Sequence, residues 1–338
     1  MQTDPLRRRA SIEPPFASAS DPQGTATCRH HFACIDGVQV HWAELDGGSD
    51  RLPLVLLHGL GDSHRTWRPL VARLARGRRV LMPDLPGHGL SGRPDASYAL
   101  GWYARVVEHW LDTAGVARAD VVGHSFGGGV AQMMLLQCPE RIRRLVLVSS
   151  GGLGREIAVL FRLASIPLVV ERLGQPFMGS FTRLVLRVTG DVISSGDVAQ
   201  LSAMNAQRGS ARAFGRTVHD LIDWRGQRQT FFQRADELSA LPPIAVFWGD
   251  HDGVIPFAHA ESLARFVDGV RVTRFEGCGH CPHHEKPDAF VAALDAFLDS
   301  PHPRSARVRR RVPISSQGRL LAGMRSLVGR SRLPLPDL

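Results

Sequence analysis

Val121-Val122-Gly123-His124-Ser125-Phe126-Gly127-Gly128-Gly129-Val130-Ala131 is the stretch on which the reading of this chain turns. An apolar pair leads into a serine with a glycine two positions away on each side, and a run of small residues then opens a helix. This spacing predicts a nucleophile elbow: a sharp strand-to-helix turn that holds the Ser125 hydroxyl clear of the backbone. The crowding of such a turn leaves no room for side chains at 123 and 127, and glycine meets that need. The following helix points its N-terminal amides at the place where an oxyanion would form.

On either side of this turn, short apolar runs recur. Phe32–Ile35 and Val38–Trp42, separated by Asp36-Gly37, read as a hairpin with a type I′ turn. Leu54–Leu57, Val80–Met82, Val121-Val122, Leu145–Val148, Ile244–Phe247 and Val270–Val272 follow, and their continuous apolar character suits central parallel strands covered by helices. Helical patterns fall between them at about 66–76, 101–114, 126–137, 257–267 and 286–299. The alternation predicts an α/β chain with a mostly parallel sheet that opens with a hairpin.

The regions divide accordingly. Residues 1–29 are rich in Pro, Ser and charge without periodicity and are expected to be disordered. Residues 30–150 form the first part of the core, and 241–299 the second. Between them, 151–240 loses the strand alternation and reads as a helical cap inserted after the sixth strand. Residues 300–338 form a basic tail.

With 338 residues, 43% of them hydrophobic, the chain is long enough for one large α/β core with an insertion. No run of about 18 apolar residues is present and the N-terminus lacks an apolar signal core, so neither a membrane span nor a signal peptide is expected. Five irregularly spaced cysteines in a chain of this size point to a reducing cytosol.

The net charge of +9 would suggest nucleic acid if it were spread over the body. It is not: nine arginines against Asp337 put a net +8 in residues 301–338, so any electrostatic partner is a partner of the tail and no nucleic-acid partner is expected. Leu320, Leu321, Met324, Leu327 and Val328 form a helical stripe within that tail. Residues 319–330 are therefore a candidate for peripheral contact with anionic membranes, the alternative being a tail docked on the body or disordered.

An elbow serine needs a base and a group to orient that base. Trp248-Gly249-Asp250-His251-Asp252 follows one strand and Gly277-Cys278-Gly279-His280 follows the next, where catalytic groups of open α/β sheets collect. Asp250 and Asp252 compete for the acid role. The chain order serine, acid, histidine is the one this architecture uses.

These blocks, with His58-Gly59-Leu60-Gly61 and Asp84-Leu85-Pro86-Gly87-His88-Gly89-Leu90-Ser91, resemble the α/β-hydrolase fold family over roughly residues 30–150 and 240–299. More narrowly the chain resembles capped serine hydrolases of high-GC actinobacteria, an impression that Phe161–Ser165 and Asp223–Gln227 strengthen. The resemblance implies Ser125, Asp252 and His280 as the catalytic triad, the family's W-G-x-x-D pattern selecting Asp252 over Asp250. It further implies an oxyanion hole built from the backbone amides of Leu60 and Phe126. His58, and Asp84 with Ser91, are expected to shape their own loops.

Cys278, His280, Cys281, His283 and His284 contain metal-ligand types, but one loop supplies all five, so no metal and no cofactor are expected. A serine nucleophile argues against relatives such as haloalkane dehalogenases and epoxide hydrolases, which need a carboxylate at the elbow. The expected activity is hydrolysis of a small-molecule ester with a hydrophobic acyl group, the substrate being bound by residues within 151–240. Two alternatives stay open: a carbon–carbon hydrolase of ring-cleavage products and a non-catalytic binding protein. Against the former, Cys281 stands where that group typically has tryptophan, and Asp62-Ser63 where it usually has Pro-Gly.

Overall fold

The computed structural model describes residues 28–301, apart from 49–50, 165–168, 190–193, 229 and 239, together with 306–308. Residues 1–27 of the extension expected to be disordered, and the amphipathic stripe at 319–330, lie outside the described residues, whereas Arg29, expected to belong to that extension, opens the first strand and pairs with Glu44.

The strands of the main sheet are β1 (Arg29–Ile35), β2 (Val38–Asp46), β3 (Leu54–Leu57), β4 (Arg79–Pro83), β5 (Ala119–His124), β6 (Ile142–Val148), β9 (Ile244–Gly249) and β11 (Arg271–Phe275). They lie in the order β1-β2-β4-β3-β5-β6-β9-β11. β1 pairs with β2 and β2 with β4 antiparallel, and every other pairing in this sheet is parallel. Asp36 and Gly37 both take positive φ, 49° and 79°, as a type I′ turn requires of its two central residues.

Helices of the core are α1 (Arg68–Leu74), α2 (Leu100–Thr113), α3 (Phe126–Gln137), α9 (Ala258–Phe266), α10 (Pro282–Glu285) and α11 (Pro287–Leu298). Their apolar residues divide between two clusters. Val55, Leu57, Val121, Leu145 and Val246 pack with α2, α3 and α9 in one. Leu54, Leu56, Val122, Val146 and Ala245 pack with α1 and α11 in the other. Alternate residues of the same strands thus enter different clusters, which is why these strands read as unbroken apolar runs.

Between β6 and β9 stand α4 (Val159–Ala164), α5 (Val169–Leu173), α6 (Met178–Thr189), α7 (Ser195–Asn205) and α8 (Ser210–Leu221). Met178, Ala211, Phe214, Val218 and Ile222 give this insert a small core of its own. A short hairpin, β7 (Ile222–Asp223) and β8 (Gly226–Gln227), interrupts the helices at the Asp223–Gln227 phrase. Two further short strands, β10 (Val267–Asp268) and β12 (Arg307–Val308), pair with each other, and Ala306 beside them is buried.

One expectation needs correction. Val270–Val272 looked like another central strand, yet β11 is the last strand of the sheet, and Val272 is 38% exposed. Of β11, only Phe275 is fully buried, so its apolar residues do not mark a strand covered on both faces.

Candidate active site

Ser125 stands between β5 and α3 with φ 50° and ψ −112°, a backbone state that L residues avoid. The turn is held by its amide donating to the Val148 carbonyl at 2.9 Å and by its carbonyl accepting from Gly128 and Gly151. A Cβ on Gly123 would lie 2.5 Å from the Gly127 carbonyl oxygen, and one on Gly127 would lie 2.5 Å from that of Leu57. Those contacts are closer than any side chain tolerates, so the two glycines are sterically required.

The loops after β9 and β11 bring the other two groups to this serine. His280 Nε2 is 3.0 Å from Ser125 Oγ, and His280 Nδ1 is 2.9 Å from Asp252 Oδ2. With the ring proton on Nδ1, the histidine donates to Asp252 and leaves Nε2 free to accept from the serine hydroxyl. Asp252 Oδ1 accepts from the amides of Val254 and Ile255 at 2.8 and 2.9 Å, and its side chain is fully buried. Asp250 is turned elsewhere: it pairs with Arg274 at 2.9 Å and accepts from the Cys278 amide.

The turn at 58–61 lies against the elbow, since a Cβ on Gly59 would sit 3.6 Å from Ser125 Cβ. Neither the Leu60 nor the Phe126 amide donates a hydrogen bond among the described residues, so both donors are available. His58 is buried, with Nδ1 2.8 Å from the Gly59 carbonyl and Nε2 accepting from the Leu85 amide at 3.0 Å. Burial pulls its imidazole below the ordinary range, so it serves as a neutral brace between two loops.

Asp84 organises the adjacent loop. Its buried carboxylate accepts from His41 Nδ1, His64 Nδ1 and the amides of His64 and Leu90, while Ser91 Oγ donates to the Asp84 carbonyl. Burial alone would raise this carboxyl's pKa, but the two histidines outweigh it and hold the group well below the usual carboxylate range.

Glu285 has no local sequence signal, yet it positions the histidine loop. Its carboxylate accepts from the amides of Gly279 at 2.8 Å and Cys281 at 3.3 Å, on either side of His280. Another contribution comes from the elbow itself: His124 Nε2 is 3.1 Å from the His280 carbonyl and 3.7 Å from Cys281 Sγ.

Among the described residues, two groups have metal-binding side chains close enough to share an ion. In each of His124–Cys281–His283 and His41–His64–Asp84, the donor atoms lie within 4.8 Å of one another. The Cys278–His284 loop thus gains a donor from β5 that its own spacing could not reveal. Burial holds His124 and His283 well below the ordinary imidazole range, so both are neutral. The Asp84 group is already organised by the hydrogen bonds described above.

An apolar cavity opens beside the Leu60 turn. Phe161 of α4, Met178 and Phe181 of α6, Leu201 of α7 and Phe214 of α8 line it together with Leu60. Asn205, at the end of α7, fastens the insert to the turn by donating to the Gly61 carbonyl. Among the described residues no helix is long and apolar enough to cross a membrane.

Comparison with known proteins places this geometry in context. Residues 53–287 match the alpha/beta hydrolase fold family. An uncharacterised protein of Mycobacterium tuberculosis is 35% identical over 261 residues, covering 74% of this chain and 76% of its own. A 2-hydroxymuconate semialdehyde hydrolase of Pseudomonas sp. (strain CF600) is 30% identical, covering 73% and 86% respectively. Among solved structures, a membrane phospholipase A described as a bacterial virulence factor superposes with a TM-score of 0.67 at 25% identity, covering 80% of this chain and 86% of its own.

Proposed function

Because the chain belongs to the alpha/beta hydrolase fold family, we propose that it is a serine hydrolase of carboxylic esters with a hydrophobic acyl group. The observation that carries this reading is the unbroken Ser125–His280–Asp252 hydrogen-bond chain at the elbow.

Ser125 Oγ attacks the acyl carbonyl as His280 Nε2 takes its proton. Asp252 holds the imidazole in the required tautomer and stabilises its charged form. The amides of Leu60 and Phe126 receive the oxyanion, and preorganised donors of this kind contribute about 3–4 kcal/mol each in well-studied cases. His280 then gives its proton to the leaving alkoxide, and water, activated by the same nitrogen, releases the acid from the acyl-enzyme.

The insert acts as a cap in this account. Its apolar cavity adjoins Leu60, one of the two oxyanion donors, so an acyl chain can extend into it from a carbonyl seated at Ser125. The superposition on a phospholipase A supports an acyl-ester reading as well. A p-nitrophenyl ester series from acetate to laurate tests it. We expect activity that rises with acyl length and is lost in Ser125→Ala; a flat series would remove the hydrophobic-acyl assignment, and hydrolysis unchanged in Ser125→Ala would remove the mechanism.

The identity with a 2-hydroxymuconate semialdehyde hydrolase favours one second reading, hydrolysis of a carbon–carbon bond in a ring-cleavage product. Turnover of such a dienoate with no turnover of any ester would select it.

A further inference from the structure

Arg93, Arg172, Arg208 and Arg212 line an open cleft of about 600 Å³ formed by α5, the start of α8 and the loop after β4. The neighbouring carboxylates do not neutralise it. Arg216 holds both: its NH2 is 2.9 Å from Glu171 Oε1 and its NH1 is 2.6 Å from Asp95 Oδ1. Five guanidinium groups thus meet these two carboxylates and, for Arg93, the through-space charge of the buried Asp84, which leaves Arg172 and Arg208 without an ion-pair partner among the described residues.

The four lining arginines differ in what they have left to give. Arg93 is committed to neutral acceptors: Ser210 Oγ at 2.7 Å and the carbonyls of Ser91, Gly89 and Met204 at 2.8, 3.1 and 2.9 Å. It is a largely buried cation that makes no ion pair among the described residues; burial pulls its pKa below the ordinary arginine value, and the charge of the buried Asp84 opposes that only in part. Arg212 donates through NH2 to the Arg93 carbonyl at 3.0 Å and keeps NH1 3.9 Å from Asp95 Oδ2; its Nε is buried without an acceptor. Arg172 and Arg208 are exposed and make no hydrogen bond or ion pair among the described residues.

The start of α8 is not the source of the donors. Gln175 Oε1 accepts from the amides of Gly209 and Ala211, and the Gln207 carbonyl accepts from that of Ser210. The cleft therefore offers side-chain guanidinium forks above a fixed buried charge. A carboxylate, with one charge and two oxygens, would leave much of this unused. A phosphoryl group brings more charge and three peripheral oxygens, to which such forks bind bidentately.

We infer that this cleft binds a phosphoryl group, carried by a soluble phosphate ester or by a lipid headgroup. The site stands apart from the catalytic residues and does not rest on the reaction proposed for Ser125.

The test uses the full chain in the Ser125→Ala background, so that binding is read without turnover. Inorganic pyrophosphate is titrated calorimetrically, and phosphatidylglycerol vesicles are used in cosedimentation, each with and without Arg172→Ala plus Arg208→Ala. The arginines of residues 301–338 are present in every protein compared and cancel. We expect saturable pyrophosphate binding at one site, weakened about tenfold or more by the double substitution. Weakened binding to vesicles with pyrophosphate unaffected would assign the phosphoryl group to a lipid headgroup. Arg208→Gln alone should give an intermediate loss, while ester hydrolysis in the Ser125 protein carrying the double substitution stays unchanged. Equal binding of both probes by the parent and the double variant, or binding of neither, would overturn the inference.

Discussion

The carboxylate of Asp252 lies 2.9 Å from Nδ1 of His280, with its other oxygen closed off by the amides of Val254 and Ile255. This fixes which oxygen meets the imidazole and therefore which ring nitrogen carries the proton. Replacement by asparagine keeps the shape but removes the preference for a proton on Nδ1. Asp252→Asn is expected to lower kcat about 10³–10⁴-fold with little change in KM. Asp250→Asn, which loses a contact to Arg274, should stay within about tenfold of the parent. Steady-state kinetics on a p-nitrophenyl ester compares them directly.

The proposed ester hydrolysis places the acyl chain in the cavity between the insert and the Leu60 turn. Phe181 and Phe214 meet edge to face there, with centroids 5.4 Å apart. Phe181→Trp adds bulk to that wall. It should reduce kcat/KM for octanoyl esters about tenfold more than for acetyl esters. An equal effect on both chain lengths would mean that the chain does not enter this cavity.

Asp84 is expected to matter for stability. Its buried carboxylate meets His41 at 2.7 Å and His64 at 2.9 Å, and Asp84→Asn removes the charge while placing an amide donor against ring nitrogens that now donate. Breaking a buried charge-assisted network of this kind costs about 3 kcal/mol or more. Urea unfolding of the two proteins measures the difference.

His88 gives the stability a defined pH dependence. It is buried against Phe126, and burial lowers its pKa from 6.5 to about 3. The unfolded chain therefore binds a proton at this residue before the folded chain does. The stability it contributes is fully present above pH 6.5 and is lost progressively as the pH falls towards 3, by up to about 1.4 kcal/mol per pH unit. His88→Gln, whose side chain does not titrate, should make the fall in stability between pH 7 and 5 shallower in thermal melts, the remaining fall coming from His58, His124 and His283, whose pKa values burial also lowers.

Much of this was legible in the chain because local rules and tertiary packing agree. Gly123 and Gly127 are where they are because the carbonyls of Gly127 and of Leu57 and His58, respectively, leave no room for a Cβ, and that requirement is visible as a motif. Asp36-Gly37 carries its turn type in its residue types. The family's spacing selects Asp252, and His280 Nδ1 lies 2.9 Å from that residue's carboxylate.

What escaped depends on contacts between distant segments. Apolar residues in β11 do not reveal that the strand ends the sheet. Glu285 reaches back to the amides around His280 from the helix that follows, and His124 approaches Cys281 from another strand. The arginine cleft combines residues near 93, 172 and 210, none of which marks itself along the chain. Composition placed the excess charge in the tail, and did so correctly as a sum, but it could not show a local imbalance created when Arg216 takes both carboxylates.

The central claim is that Ser125 is a nucleophile activated by His280. Intact-mass spectrometry after exposure to a fluorophosphonate tests it most directly. The account predicts one phosphonyl adduct on the native protein, mapped to Ser125, much slower labelling in His280→Ala and none in Ser125→Ala. A native protein that stays unlabelled while hydrolysing esters, or an adduct that persists in Ser125→Ala, would contradict it.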